Sequence, residues 1–436
     1  KTMEIASLYH IFQQHPLVTT DSRNCPEGSL FFALKGASFN GNAFAEQALK
    51  EGCAYAVIDE PAYAKAADKR LILVDDCLTA LQQLANYHRR QLGTRIIGVT
   101  GTNGKTTTKE LISSVLAQKY KVLYTQGNFN NHIGVPLTLL RLTAEHDIAV
   151  VEMGANHPGE IDFLVHIAEP DYGLITNVGK AHLEGFGSFE GVIRTKGELY
   201  DYLRTKPESM VFIHNDNPYL NRIAQGLNLI RYGKPDAQAV LSANGEVVEC
   251  APFLSFRWRV GNTEWRTVET HLIGAYNLDN MLAAAAIGLY FGVPATQIDK
   301  ALSGYVPQNN RSQLKETATN HLIVDAYNAN PTSMMAALTN FRDMKVASKM
   351  VILGEMKELG EGSPEEHQKV VDFLRECRFE EVWLVGKRFA ETHSSFRTFA
   401  DVEEVKEAVR QDAPKGRYIL IKGSNSMKLS QLAELL

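Results

Sequence analysis

The hydrophobic pattern in the middle of the chain alternates between short apolar runs and longer segments with helical spacing. The apolar runs are rich in β-branched and aliphatic residues and are bounded by Gly, Asn or Asp, which is typical of buried strands. These runs are RIIGVTG (95–101), KVLYTQG (121–127), DIAVVEMG (147–154), YGLITNVG (172–179) and SMVFIHND (209–216). After the first run, Leu111, Ile112, Val115 and Leu116 fall on one face of a helix. Strands that alternate with helices predict a parallel sheet covered on both faces.

The outer parts of the chain repeat this pattern on a smaller scale. Further predicted strands are SLFFALKG (29–36), AYAVIDE (54–60), HLIVDAYNANP (321–331), KMVILGEM (349–356), EVWLVG (381–386) and RYILIKGS (417–424). The polar stretches 87–95 and 306–313 are interpreted as linkers. We therefore expect an α/β protein with a small N-terminal domain (1–90), a central parallel-sheet domain with a phosphate loop (91–308) and a Rossmann-like C-terminal domain (309–436), in line with the chain length.

Polar residues lie at or just beyond the ends of the central strands. They are Glu152, Asn177, His182 and Asn215. Because ligands bind beyond the carboxyl ends of the strands in open parallel sheets, these residues mark the predicted functional edge.

Composition and charge narrow the class of protein. The formal net charge is -5, and the chain has no long basic run, which argues against nucleic-acid and anionic-membrane partners. The five cysteines form no CxxC pair, which fits a reducing compartment better than a zinc site or a disulfide framework. The most apolar run, MLAAAAIGLYFGV (281–293), is too short to cross a bilayer and predicts a buried helix. We expect a cytoplasmic, monomeric protein.

The segment GTNGKTTT (101–108) has the features of a phosphate-binding loop between a strand and a helix. Its glycines allow positive φ, so several backbone N–H groups can face one anion, and the helix that follows adds its positive end. Lys105 is predicted to reach the β- and γ-phosphates, and the Thr106 hydroxyl to bind Mg²⁺. Val99 stands where a regular Walker A loop has glycine, which points away from GTPases and transport motors. The alternative is a chance Gly-Lys-Thr in a strand–helix turn.

The sequence TGTNGKTTT resembles the phosphate loop of the Mur ligase superfamily, ATP-dependent enzymes that form amide bonds in cell-wall and polyglutamate synthesis. Further segments resemble that family in the same order: VVEMGANHPGEI (150–161), TNVGKAHLEGFGSFEGVIRTKGELY (176–200), GAYNLDNMLAAAAIG (274–288) and DAYNANPTSMMAAL (325–338). Residues 21–59 resemble the family's domain for a uridine nucleotide. The resemblance covers nearly the whole chain and implies a ligase that activates a carboxylate as an acyl phosphate.

The motif YNANPTSM (327–334) resembles the branch of the family that adds a dipeptide, as do ILGEMKELGEGSPEEH (352–367) and IKGSNSMK (421–428). This resemblance implies UDP-N-acetylmuramoyl-tripeptide and D-alanyl-D-alanine as substrates, in the last cytoplasmic step of peptidoglycan precursor synthesis. Two positions depart from the family pattern: Tyr276 stands where His is usual, and Asn42 ends a segment that usually reads Asp-Gly-His. Neither change removes a group that must ionise, so we expect altered contacts and retained activity.

The resemblance also implies roles for individual residues. The implied ATP contacts are Gly101, Thr102, Asn103, Gly104, Lys105, Thr106, Thr107, Asn277, Asn280, Arg311 and Asp325. Two Mg²⁺ ions are expected, one on Thr106 and Glu152, the other on His182 and on Lys196 carbamylated by CO₂. Lys105, Lys196, His182 and Arg311 form the predicted catalytic set. The candidate substrate contacts are Ser22 and Arg23 for the uridine nucleotide, Asn130 and Asn131 for the muramoyl or metal region, and Asn328 and Asn330 for the dipeptide.

Plainer alternatives stay open for these residues. Lys196 could be an unmodified counter-charge or a solvated lysine, Glu152 an exposed strand end, His182 a structural histidine, Arg311 a surface residue, and Asn130 and Asn131 parts of a turn, while Asp325 could order its loop without meeting the ribose. For function, the alternatives are another Mur step, folylpolyglutamate synthetase, or a non-catalytic nucleotide switch or motor ATPase. The uridine-type segment argues against the folate enzyme, and YNANP against other Mur steps. We expect nucleotide binding to close the C-terminal domain onto the central one.

Overall fold

The computed structural model describes residues 1–308 and 310–436. The N-terminal part forms a four-stranded parallel sheet in the order β1-β2-β3-β4. Its strands are β1 (Val18–Thr19), β2 (Leu30–Phe32), β3 (Tyr55–Ile58) and β4 (Leu71–Leu73), and its helices are α1 (Ile5–Gln14), α2 (Ala45–Lys50) and α3 (Cys77–Leu92). The second and third strands coincide with the two N-terminal runs predicted from the sequence.

The central sheet has nine strands in the order β13-β12-β11-β10-β9-β8-β5-β7-β6. The strands are β5 (Arg95–Thr100), β6 (Val122–Tyr124), β7 (Ile148–Glu152), β8 (Tyr172–Ile175), β9 (Met210–His214), β10 (Leu229–Gly233), β11 (Ala243–Cys250), β12 (Phe253–Val260) and β13 (Arg266–Ile273). The helices are α4 (Lys105–Leu116), α5 (Gly134–Leu139), α6 (Glu160–Ala168), α7 (Leu183–Phe186), α8 (Phe189–Lys196), α9 (Glu198–Arg204), α10 (Pro218–Ile223), α11 (Asn277–Tyr290) and α12 (Ala295–Gly304).

Alternate residues of the central strands enter two different cores, as expected when both faces of a parallel sheet are covered. In β5, Ile96 packs on one side of the sheet, while Ile97 and Val99 pack on the other with helix α11. The residues Met281–Ile287 of α11 are all buried. The predicted helix at 281–293 is therefore confirmed up to Tyr290, and it is buried up to Gly288.

The last three strands of the central sheet, β11 to β13, pair antiparallel and were not predicted. In β12, Leu254, Phe256 and Trp258 are buried, while the residues between them are partly exposed, which is the period-two pattern of a sheet with one buried face. These three strands extend the sheet beyond β10. The predicted functional edge, at the ends of the parallel strands, is unaffected by them.

The C-terminal sheet has six strands in the order β14-β15-β19-β16-β17-β18, and only the β14–β15 pair among its described pairs is antiparallel. The strands are β14 (Gln313–Glu316), β15 (His321–Asp325), β16 (Lys349–Gly354), β17 (Glu381–Val385), β18 (Arg397–Phe399) and β19 (Tyr418–Lys422). The helices are α13 (Pro331–Asp343), α14 (Ser363–Cys377), α15 (Lys387–Ala390) and α16 (Val402–Gln411). The predicted α/β class with three sheet-based parts is confirmed.

The first of the two predicted linkers is largely helical. Residues 87–92 continue helix α3, which ends at the left-handed Gly93, so most of the segment interpreted as a linker is helical. This helix packs against α1 on one side and against α5 and α6 on the other. The second predicted linker, 306–313, includes residue 309, which lies outside the described residues. In residues 1–308 and 310–436, no helix has the length and apolar character needed to span a bilayer.

Candidate active site

The phosphate loop leaves strand β5 at Thr100 and enters helix α4 at Lys105. Two glycines shape it: Gly101 has φ +147° and Gly104 has φ +78°. A Cβ atom at Gly101 would lie 1.9 Å from the Thr176 hydroxyl, so no larger residue fits this turn. The loop therefore presents the N-terminus of α4 to a cavity, which is the arrangement that binds phosphates.

The Lys105 ammonium folds back over this loop. Its Nζ atom donates hydrogen bonds to the carbonyl oxygens of Gly101 at 2.8 Å and Thr102 at 3.3 Å. Burial lowers the pKa of Lys105, the Glu152 carboxylate opposes the shift, and the Arg311 charge adds to it. A partly buried ammonium group held by carbonyl groups is available to meet an incoming anion.

Glu152 is fully buried at the end of β7 and is not the exposed strand end of the alternative reading. Its Oε1 atom accepts a 2.7 Å hydrogen bond from the Thr106 hydroxyl, and its backbone N–H donates to Thr125 Oγ1 at 2.9 Å. Its Oε2 atom has no partner in the described part of the chain. An unpaired buried carboxylate oxygen beside a hydroxyl fits a hard divalent cation.

The chain alone does not form a complete metal cage. Among the described residues, no group of three or more His, Cys, Asp or Glu side chains is arranged to hold a metal ion. Mg²⁺ commonly binds one or two carboxylates together with substrate phosphates and water. Thr106 and Glu152 beside a phosphate loop match that mode of binding.

Lys196 and His182 form a second group next to this loop. Lys196 is 2% exposed at the end of α8, and its Nζ lies 5.6 Å from the centroid of the Phe186 ring, which packs edge-on against His182. Burial, followed by the charge of Lys105, holds the pKa of Lys196 well below its ordinary value. Burial also lowers the pKa of His182, although a bond to Glu358 opposes this shift. The predicted Lys196 is thus buried, contrary to the solvated alternative.

A cavity of about 380 Å³ is lined by the phosphate loop, by helix α11 and by residues of the C-terminal domain. The predicted residues that line it are Thr102, Asn103, Gly104, Lys105, Thr106, Thr107, Asn130, Glu152, Asn277, Asn280, Arg311, Asp325 and Asn328. The structure therefore brings most of the predicted nucleotide set together. His182, Asn328 and Asn330 line a neighbouring cavity of about 190 Å³.

The side-chain amides of Asn277 and Asn280 in α11 are hydrogen-bonded to each other. Asn280 Nδ2 donates to Asn277 Oδ1 at 2.9 Å, and Asn277 Nδ2 donates to the Ile273 carbonyl at 3.0 Å. Asn280 also lies against Gly104, where an added Cβ would sit 3.1 Å from the amide. This pair therefore borders the phosphate loop as well as the side of the cavity predicted for adenine.

The C-terminal domain contributes two further predicted residues. The Arg311 guanidinium lies 3.8 Å from the centroid of the Tyr327 ring, so it is held over an aromatic face at the cavity wall. Asp325 accepts a 2.9 Å hydrogen bond from Lys422, which also donates to the Asn328 carbonyl at 3.2 Å. Asp325 thus orders its own loop, which is one of the two roles considered for it.

The asparagines predicted for substrates take different positions. Asn131 Oδ1 accepts hydrogen bonds from the N–H groups of Gly134 at 2.8 Å and Ile133 at 3.1 Å, as a turn residue does. Asn330 caps helix α13 through a 2.8 Å bond from the Ser333 N–H, and its Nδ2 donates to Asn103 Oδ1 at 2.7 Å. The N-cap residue of helix α13 is therefore tied directly to the phosphate loop.

The uridine candidates lie in the N-terminal part. Arg23 directly follows Ser22, and its side chain is 86% exposed. Its Nε atom lies 3.0 Å from Oδ1 of Asp21. Asn42, where the family pattern has His, is buried: it accepts a 2.9 Å bond from the Asp59 N–H and donates another of 2.9 Å to the Asp59 carboxylate. Tyr276, the other departure, shares a 2.9 Å hydrogen bond with Ser312. Both of these residues make internal contacts.

Three family models match successive parts of the chain. They are described as Mur ligase family, catalytic domain (residues 16–89), Mur ligase middle domain (99–288), and Mur ligase, glutamate ligase domain (310–425). A curated relative from Bacillus subtilis, a UDP-N-acetylmuramoyl-tripeptide–D-alanyl-D-alanine ligase, is 36% identical over 430 residues, covering 96% of this chain and 92% of the relative. The chain belongs to the Mur ligase family. The resemblance seen in the sequence is confirmed.

Solved structures of Mur ligases share its fold. MurF from Acinetobacter baumannii matches with a TM-score of 0.85 and 31% identity, covering 96% of this chain and 92% of that chain. A MurF ligase from Thermotoga maritima in complex with ADP also matches with a TM-score of 0.85, at 26% identity and 96% coverage of both chains.

Some cavity residues of this Mur ligase were missed by the sequence analysis. His214, at the end of β9, stacks on Tyr232 and has Nε2 within 3.2 Å of Asp216 and 3.3 Å of Asp279. Burial lowers its pKa, but these carboxylates outweigh that effect and the pKa of His214 is raised. Its position at a strand end was the available signal. Glu358 was also missed, because nothing local in its sequence shows that it faces His182.

Proposed function

We propose that this Mur ligase joins D-alanyl-D-alanine to UDP-N-acetylmuramoyl-tripeptide with ATP, in peptidoglycan precursor synthesis. The observation that carries the proposal is the cavity whose walls combine the phosphate loop with the YNANPTSM segment of the C-terminal domain. Curated relatives that match nearly the whole chain carry this activity in their names. This lining supports the binding of ATP beside the segment expected to select the acceptor.

The reaction transfers the γ-phosphoryl group of ATP to the tripeptide carboxylate, and the dipeptide amine then displaces phosphate from the acyl phosphate. This transfer brings negative charges together, so positive groups must face the reacting atoms. Lys105 lies within the loop that receives the phosphates, and Arg311 faces the same cavity from the C-terminal domain. Lys105 would bind the β- and γ-phosphates, and Arg311 would stabilise the γ-phosphoryl group during transfer.

Two Mg²⁺ positions fit the residues present. Thr106 and Glu152 would hold the first, and His182 and a carbamylated Lys196 would hold the second. When bound, the metal ions supply charge neutralisation at the phosphates. The fit rests on the unpaired Oε2 atom of Glu152 and on the enclosed group of Lys196, Phe186 and His182.

Carbamylation of Lys196 requires its neutral amine, because only that form attacks CO₂. Burial and the neighbouring Lys105 favour the neutral form by lowering the pKa of Lys196. The product would be a carboxylate at a position where an unmodified ammonium group has little solvation. A buried lysine with this environment supports the modified form over a simple counter-charge.

The substrate positions follow from the cavities. The adenine would lie on the side lined by Asn277 and Asn280, with the phosphates on residues 101–107. The dipeptide would enter the neighbouring cavity, where Asn328 offers an amide and Lys357 offers a positive charge to its carboxylate end. Asn330 would act there through helix capping, Asn130 would face the muramoyl side, and Ser22 and Arg23 would bind the uridine nucleotide.

The protein would act as a monomer in the bacterial cytoplasm, without nucleic-acid or membrane partners. Its five cysteines are unpaired in the described part of the chain, which suits a reducing compartment.

Product analysis tests the proposal against its nearest alternatives. The purified protein with ATP and Mg²⁺ is given either the UDP-muramoyl tripeptide with D-alanyl-D-alanine, a shorter UDP-muramoyl acceptor with single amino acids, or a folate with glutamate. Mass spectrometry should find a new product only with the first pair. A product with either other pair would assign the chain to another Mur step or to polyglutamate synthesis.

A further inference from the structure

Two residues outside the phosphate loop face each other across the contact between the central and C-terminal domains. His182 precedes helix α7 of the central domain, and Glu358 follows strand β16 of the C-terminal domain. The His182 Nδ1 atom is bonded to Glu358 Oε2. The backbones are also joined, because the Glu184 N–H donates to the Glu358 carbonyl at 3.2 Å.

Both residues have left-handed backbone conformations, with φ +49° at His182 and φ +61° at Glu358. A side chain with a Cβ atom rarely adopts this conformation, and it persists only where the surroundings hold it. The two loops are therefore shaped so that these side chains meet. An accidental surface ion pair would not require an unfavourable backbone on both sides.

The pair also borders two functional regions. On one side, the His182 ring packs edge-on against Phe186, whose ring faces Lys196. On the other side, His182 and Glu358 line the 190 Å³ cavity together with Asn328. A change at Glu358 can therefore reach both the proposed second metal position and the proposed dipeptide cavity.

We propose that Glu358 is a positioning residue that orients His182 only when the C-terminal domain is closed onto the central domain. A histidine that binds a metal through one ring nitrogen commonly has the other nitrogen engaged by a carboxylate, which fixes the ring and its tautomer. Glu358 engages Nδ1, which leaves Nε2 as the nitrogen available to a ligand.

This arrangement makes the His182 group of the central domain dependent on a residue from another domain. In an open enzyme, Glu358 is withdrawn and the imidazole has no partner to fix its tautomer. The dependence of His182 on Glu358 limits the use of ATP while the cavity for the acceptor is not assembled. The inference rests on the proposed function, because it assigns a purpose to closure in an amide ligase.

The test compares Glu358→Gln and Glu358→Ala with Glu361→Gln, a matched change at an exposed residue three positions later in the same loop. Binding of the β,γ-methylene analogue of ATP is measured by calorimetry over a Mg²⁺ series. In parallel, the ¹⁵N signals of the His182 imidazole are recorded in the Mg²⁺-bound state and assigned with His182→Gln. Thermal unfolding of each variant shows that the fold is retained.

We expect Glu358→Gln to weaken Mg²⁺-dependent binding of the analogue by about 10- to 100-fold, the usual effect of removing a residue behind a metal ligand. In Glu358→Gln, the ¹⁵N signals of His182 should no longer show a protonated Nδ1 and an unprotonated Nε2. Glu361→Gln should bind the analogue and give ¹⁵N signals as the wild type does. Unchanged binding, or unchanged ¹⁵N signals, overturns the proposal. Neither measurement uses the dipeptide. A failure to form product would therefore refute the proposed function without deciding the role of Glu358.

Discussion

The Thr106 hydroxyl donates a 2.7 Å hydrogen bond to Oε1 of Glu152, while Oε2 of the same buried carboxylate has no partner among the residues described. The bond ties the first turn of helix α4 to the end of strand β7. Leaving a buried carboxylate oxygen unpaired costs stability, so its retention is explained best by a ligand.

Glu152→Gln keeps the size of this side chain and its acceptor for Thr106 but removes the charge. We expect kcat to fall at least about 100-fold, since even residues behind a metal ligand are worth 10- to 100-fold. The free energy of unfolding should stay the same or rise, because an uncompensated buried charge is lost. Mg²⁺ titrations of activity and urea unfolding measure both effects, with the exposed Glu145→Gln as control. Full activity at ordinary Mg²⁺ concentrations would remove Glu152 from the metal site.

Lys109, one turn beyond Lys105, is fully buried, and its Nζ has no hydrogen-bond partner in residues 1–308 and 310–436. Burial lowers its pKa, and the Glu152 charge opposes this shift. Because the unfolded chain binds protons more tightly, Lys109 makes stability rise with pH between its lowered pKa and its ordinary value of about 10.4.

Lys109→Met should therefore raise the free energy of unfolding near neutral pH by about 1 kcal/mol and reduce its increase with pH. Urea unfolding at several pH values between 7 and about 10 measures both quantities. The control is Lys119→Met at the exposed end of the same helical region, which should leave the pH dependence unchanged. A large loss of stability in Lys109→Met would show that the amine has a stabilising partner.

Lys196 should carry a carbamate in the active protein. Incubation with ¹³C-bicarbonate should give a carbamate signal in the ¹³C NMR spectrum of the wild type, and Lys196→Ala should lack this signal and lose activity by at least about 100-fold. The physical reason is the neutral amine favoured by burial beside Lys105. A wild-type spectrum without the signal, in a protein of full activity, would favour an unmodified lysine.

Asn330→Ala should affect stability and acceptor use together. The substitution removes the cap of helix α13, which is typically worth about 1 kcal/mol, and also the 2.7 Å bond to Asn103 of the phosphate loop. Asp401→Ala is the matched control, because Asp401 caps helix α16 by a 3.0 Å bond to the Glu404 N–H. Only Asn330→Ala should raise the KM for D-alanyl-D-alanine. Equal KM values in the two variants would limit Asn330 to capping.

Local patterns were sufficient for much of the fold and the phosphate site. The apolar runs predicted strands β5 to β9 of the central sheet, and the rule that ligands bind beyond strand ends selected Glu152. Lys105 and Thr106 follow from the loop itself. These features depend on residues close in sequence or on the common edge of one sheet.

Contacts between distant segments were less accessible. The antiparallel strands β11 to β13 depend on long-range pairing, and helix α3 continues through polar residues because both neighbouring domains pack on it. Asn330 was predicted to contact the dipeptide, but its bond to Asn103 depends on how two domains meet. Glu358 lies in the family-like segment 352–367, but its contact with His182 joins residues far apart in sequence and is visible only in the structure.

Whether the chain is a dipeptide-adding ligase is decided most simply by phosphate release from ATP in the presence of the UDP-muramoyl tripeptide. We expect little release with the tripeptide alone and a strong increase when D-alanyl-D-alanine is added, with one phosphate formed per peptide bond. Release at the same rate without the dipeptide would show instead that the protein is a nucleotide switch or a motor ATPase.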